Sequence, residues 1–450
     1  MEGMPLHIVA GILVQLDTMR QLAATILSHR IFNAAFKDNI RSVSQGIIMQ
    51  QIPARVLPFS IALLESTRID ADDSLGVLLV IKNLKDRIAD PHLAANLLAS
   101  LTLSDYCFLS KSQAAVQSLS ASISREALPS FAERFGAEKR VTATAEETFR
   151  LNRAFYRYQI MCNLFCTHRN TDEELCEEER REFFHGFHSP WVNEQLICAY
   201  SFLERAVTKA YDGLAAHDIE WGELPVDWYS SAKENPRIQW FLRNGLEFLG
   251  AVADAHTYDE RVRLLRLNDF DPATSDLEPY EQLRSMISYE VKQDAIDLDD
   301  GMLLSVLNAS GRLARLARGL DGPNGSASSS PFRTWLVTHS NDFVWGAIFH
   351  GRDRNLWECG YVLWDAEEVS KEQLRYRGAV TRQMEPLFQR LTDSWSDEDI
   401  ERSRNMRTDL YLAGGRGYWP KEGLDFTGVR GLTEEKKQDL LGKWRGEEGN

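Results

Sequence analysis

The 450-residue chain is predicted to be mainly α-helical, with few short strands. Three observations predict it. Apolar residues recur at helical spacing through most of the length, helix-opening residues stand ahead of several such stretches, and alternating strand patterns are scarce. The best strand candidates, Val77 to Ile81 and Tyr361 to Leu363, are each too short for period alone to decide.

In chain order, Pro5 can take the first helical position, where its missing N–H costs nothing. Val9, Ile12, Leu13 and Leu16 then follow at helical spacing. Asp17 or Thr18 can cap a second helix, striped by Met19, Leu22, Ala23 and Ile26. A third segment spaces Phe32, Phe36 and Ile40 one turn apart. Leu6, Ile8 and Val14 make the first helix apolar almost all round, so part of its surface must meet another domain or chain.

Farther on, Thr144 and Glu147 have capping-box spacing. They open a predicted long amphipathic helix striped by Leu151, Ala154, Phe155, Tyr158, Cys162 and Phe165. Ser189 and Pro190 start another, with Leu196, Ala199, Leu203, Val207, Ala210 and Leu214 on one face. Residues 92–125, 236–256, 280–320 and 371–392 also read as helical.

The compositional break at Asp321–Pro331, rich in Gly, Ser and Pro, reads as a flexible loop. The expected organisation is a helical segment over 1–48, an irregular α-helical body over 49–320, the loop at 321–331, a Trp-rich helical part over 332–412 and a loosely ordered tail over 413–450. Trp335, Trp345, Trp357 and Trp364 are too apolar to stand in water and are expected to pack back on the body.

The N-terminal trio resembles an F-box in Met4-Pro5-Leu6-His7-Ile8, Leu16-Asp17-Thr18-Met19 and Leu27-Ser28-His29-Arg30-Ile31. Three longer stretches, Pro190–Leu196, His217–Gly222 and Gly360–Asp365, resemble motifs of a large group of uncharacterised fungal proteins with F-box-like starts. The F-box resemblance implies a three-helix segment that binds the Skp adaptor of a cullin-RING ubiquitin ligase, with an unknown protein as substrate. Carried over, Pro5, Leu6, Ile8, Ile12, Leu13, Leu16, Leu22, Leu27 and Ile31 make or support that contact. Met4 stands where the family usually has Leu, His7 where it often has Glu, and no Trp occurs before residue 45. On this reading Pro5, Leu6, Ile8 and Leu13 are exposed; in a stand-alone helical scaffold they are buried in the chain's own core.

Composition narrows the classes. With 44% hydrophobic and 10% aromatic residues the chain can build a core. A net charge of −15 argues against a nucleic-acid binder, whose footprint is a basic patch. No apolar run reaches the roughly 20 residues a membrane span requires. Six cysteines without a secretory signal point to a reducing compartment, cytoplasm or nucleus.

Motifs for chemistry are few, and neither catalytic residues nor a cofactor site is expected. Phosphate-cradling, zinc-helix and nucleophile-elbow patterns do not occur. Asp297–Gly301 has the wrong spacing for a calcium loop and suits a helix cap. Cys162, Cys166, His168, Cys176, His185 and His188 are the one candidate zinc set, but their spacing fits no zinc module, and buried cysteine commonly behaves as a small hydrophobe. No metal is therefore assigned. Aromatic residues of the three longer motifs are read as core anchors, with a substrate groove as the alternative.

Overall fold

The computed structural model describes residues 4–70, 73–135, 140–166, 173–215, 236–266, 279–280, 282–283, 330–339, 355–366, 433–435 and 438. Among these, every regular element is a helix. Contacts divide the chain into two units, Met1–Tyr200 with Leu283–Leu374, and Ser201–Gln282 with Arg375–Asn450.

The first unit opens with α1 (Leu6–Leu13), α2 (Met19–Ser28), α3 (Arg30–Asp38) and α4 (Ile40–Gln51). Both α1 and α2 pack on α3, while α2 and α4 pack on the long α8 (Leu103–Phe135). Val14, which closes α1, packs tightly on α4 at Gly46, where a Cβ would stand 2.7 Å from a Val14 methyl. The boundary expected after residue 48 falls inside α4, so the N-terminal trio continues into the body through a shared helix. Pro5 proves to be the residue just before α1, with ψ 139°, and its carbonyl accepts from the Ile8 amide at 3.0 Å.

At the centre lies α9 (Ala145–Phe165), packed with α5 (Leu57–Ser66) and α8. Its capping box is present as the spacing predicts: Thr144 Oγ1 accepts from the Glu147 amide at 3.3 Å, and Glu147 accepts from the Thr144 amide at 2.8 Å. Its environment departs from expectation. Instead of one buried face, α9 buries residues all round, Arg150, Arg153 and Arg157 included. A helix can bury such cations only where fixed acceptors meet them.

Around this centre, α5 also packs against α6 (Ser74–Ala89) and α7 (Pro91–Leu98), while α10 (Glu173–His185) packs on α6. Val77 to Ile81, expected as a strand, lies inside α6. Asp73 caps that helix by accepting from the Gly76 amide at 2.9 Å, and Val77, Val80, Ile81 and Leu84 form its inward stripe. Tyr361 to Leu363, the other strand candidate, is a turn after the short helix Asn355–Glu358. The helix expected over 92–125 divides into α7 and α8. Thr102 and Asp105 form a reciprocal cap at the head of α8, at 2.9 and 3.3 Å.

Pro190 begins α11 (Pro190–Ala215) as predicted. Within the second unit the helix expected over 236–256 is split into Pro236–Leu242 and Leu246–Asp254 by Gly245, whose φ of 99° only glycine adopts readily. Phe241 joins these pieces, its ring 6.2 Å from Tyr211 and 5.9 Å from Phe248. The helical expectations over 284–320 and 371–392 and the calcium-loop comparison at Asp297–Gly301 lie outside the described residues.

Candidate functional site

Residues expected at a partner surface divide according to the face of α1 they occupy. Val9, Ala10 and Leu13 point inward, and Leu13 is fully buried, against the expectation of exposure. Leu13 lies one turn after Val9, so the α3 and α4 packing that fixes one takes the other. On the opposite face Ile8 and Ile12, also one turn apart, are 47% and 49% exposed, with Met4 ahead of them. Gly11 completes this face, and a Cβ there would meet nothing within 4 Å. Pro5 is exposed and Leu6 half-buried.

On α2, Thr18 is the cap and accepts from the Gln21 amide at 3.1 Å. Met19 and Leu22 are buried, and the Met19 amide donates to Ser110 Oγ of α8 at 3.2 Å. The far end turns outward: Leu27 is 82% exposed, while Leu16 and Ile31 are half-buried. Leu22 therefore supports the trio from inside, while Pro5, Ile8, Ile12 and Leu27 are available to another chain.

Four members of the candidate zinc set, Cys162, Cys166, His185 and His188, fall among the described residues. Cys162 and Cys166 are buried at the end of α9. His188 is buried with its ring 4.3 Å from Phe187 and 6.4 Å from Phe59, and half-buried His185 lies against Phe184 at 6.4 Å. His168 and the side chain of Cys176 lie outside the described residues. Among the described residues no group of three or more His, Cys, Asp and Glu is placed to hold a metal.

Two of the three longer motifs meet at α9. Arg157 donates to the Val192 carbonyl at 3.2 Å and to Asn193 Oδ1 at 2.7 Å, and Arg153 donates to Gln195 Oε1 at 2.8 Å. Gln195 in turn donates to the Val362 carbonyl at 2.9 Å. Arg150 reaches the Leu363 carbonyl at 2.9 Å and Asp365 Oδ1 at 2.8 Å. The three arginines thus fasten Pro190–Leu196 and Gly360–Asp365 to one buried helix.

Aromatic residues complete the join. Trp357 Nε1 donates to Glu194 at 3.1 Å, Trp364 Nε1 donates to the Cys359 carbonyl at 2.6 Å, and buried Trp191 meets Phe332 at 4.9 Å and Trp335 at 5.9 Å. These side chains are core anchors, as their composition suggests. The His217–Gly222 motif and Trp345 lie outside the described residues.

Charge at this join is structural as well. Burial pushes the Cys198 thiol and the Tyr361 phenol well up, with the Glu194 carboxylate adding to both shifts. Neither is a nucleophile near neutrality. Glu147 goes the other way: burial would raise it, but the Arg140 guanidinium and the amides of Asp365 and Thr144 hold it below the usual carboxylate range. What sequence reasoning missed is that the arginines of α9 are buried; their spacing of three and four along one helix is the signal that was there to find.

No family model, curated protein or solved structure matches this chain. A reading of its function therefore rests on the residues above.

Proposed function

We propose that the chain is a non-catalytic, F-box-like adaptor that binds the Skp-type subunit of a cullin-RING ubiquitin ligase in the cytoplasm or nucleus. Its contact face is the exposed side of α1 with the end of α2, and the body presents a protein substrate. The observation that carries this reading is the outward stripe of Ile8 and Ile12, with Leu27 on the next helix, in a trio whose Val9, Ala10, Leu13, Met19 and Leu22 are turned inward. Covering a half-exposed isoleucine recovers about 1 kcal/mol, so the stripe supplies a modest anchor before association costs are met. Among the described residues no helix is long and apolar enough to cross a membrane.

Co-expression with the Skp-type subunit followed by size exclusion tests this. Co-elution is expected, and Ile8→Asp with Ile12→Asp should abolish it with helix content unchanged, because both side chains leave the core. A charge at Leu13 would test the trio's folding and not this contact, because Leu13 lies in the trio's interior. Failure of the native chain to co-elute defeats the reading. It would favour a self-contained helical scaffold, for which the buried Leu13 and Leu22 and the Met19 to Ser110 bond are the supporting observations.

A further inference from the structure

Helix α6 carries apolar surface that its neighbours leave open. It packs on α5, α7 and α10, and Val77, Val80, Ile81 and Leu84 are buried. Leu75 and Leu79 nonetheless remain 81% and 55% exposed. Three further exposed residues continue their line: Leu75, Leu79, Lys82, Asp86 and Ala89 are spaced alternately four and three apart. That 3.5-residue repeat is the spacing of a coiled-coil seam, and it sets all five on one side of a single helix. Neither the Lys82 nor the Asp86 side chain is paired with another among the described residues. The order of the seam decides what fits it. Run in the opposite direction, it offers an acid to Lys82 and a base to Asp86, so its own reversed copy is complementary, whereas an in-register parallel copy sets like charge on like.

We propose that α6 takes a second copy of this chain, the two helices packing antiparallel about a two-fold axis. Lys82 of each copy meets Asp86 of the other, Leu79 covers the other's Ala89, and Leu75 reaches the turn beyond it, where Leu93 is 46% exposed. Such a contact uses the same patch twice and closes at two copies. The 16 residues of α6 span about 24 Å, so one helix pair buries less than the roughly 1,200 Å² of a stable interface. The dimer is therefore weak, with a dissociation constant of about 0.1 mM. The inference is independent of the proposed adaptor face on α1 and α2.

Sedimentation velocity of the full chain from about 5 μM to about 0.5 mM tests it, the weight-average mass being expected to rise from one chain towards two. Leu75→Asp with Leu79→Asp should leave a monomer throughout, with helix content unchanged by circular dichroism because both side chains are exposed. At low salt Lys82→Asp should raise the dissociation constant about tenfold by setting acid against acid, and adding Asp86→Lys to it should restore association by exchanging the pairs. Ile8→Asp with Ile12→Asp should leave the dimer intact. A monomer at about 0.5 mM, a dimer that survives the leucine changes, or a charge exchange that fails to restore it overturns the inference. Loss of the dimer in the Ile8 and Ile12 variant alone would overturn it too, by moving self-association to α1.

Discussion

Gly11 stands in the middle of α1 with open space where its side chain would be. Neither a turn nor a close neighbour within the chain requires glycine there, and a helix-interior glycine costs about 0.5–1 kcal/mol relative to alanine. Gly11→Ala should therefore raise the midpoint of thermal unfolding, by a stability gain of that size, read by circular dichroism. A loss of stability would mean that α1 has a closer neighbour than the structure shows. Gly46 offers the contrast: the nearby Val14 methyl fills the place of its Cβ, so the glycine is required where α1 meets α4. The same residue type is dispensable to the fold in α1 and built into it in α4.

Among the elements, α9 shows how far the sequence could be read. Its start was legible because a capping box is local: Thr144 and Glu147 are three residues apart and satisfy each other's amides. Its surroundings were not. Arg150, Arg153 and Arg157 look like a solvated face until the acceptors are known, and those lie 35 to 215 residues away. For the apolar run Val77 to Ile81 the deciding features were the Asp73 cap and Leu84 beyond it, outside the window that suggested a strand. At the candidate face the period identified α1, but only packing on α3 and α4 distinguished inward Leu13 from outward Ile12. Arg157→Met tests the long-range part. It preserves the stem and leaves the Val192 carbonyl and Asn193 Oδ1 without their donor, so it should cost about 2–4 kcal/mol. Urea unfolding should show a lower midpoint at unchanged slope, and a cost under about 0.5 kcal/mol would show that this bond pair is not needed to hold α11 against α9.

Across the first unit, segments far apart in the chain are held together by ionised groups, which gives its stability a defined dependence on pH. Fully buried Glu147 takes Arg140 on one side and the Asp365 amide, 218 residues away, on the other at 2.7 Å. Its pKa is lower folded than unfolded, so the folded state binds a proton less readily than the unfolded chain. The stabilisation is fully present above the unfolded value of about 4.3 and is lost as pH falls from there through the depressed folded value. Glu147→Gln keeps the shape of the side chain and removes the titration. At pH 7 the variant should be less stable by about 3 kcal/mol, the scale for breaking a buried ion pair. Between pH 5 and about pH 3 the native chain should lose stability faster than the variant, so the gap between them narrows. Parallel curves would mean that Glu147 titrates alike in both states, and the clamp between α9 and residues 355–366 would then owe its strength to neutral hydrogen bonds.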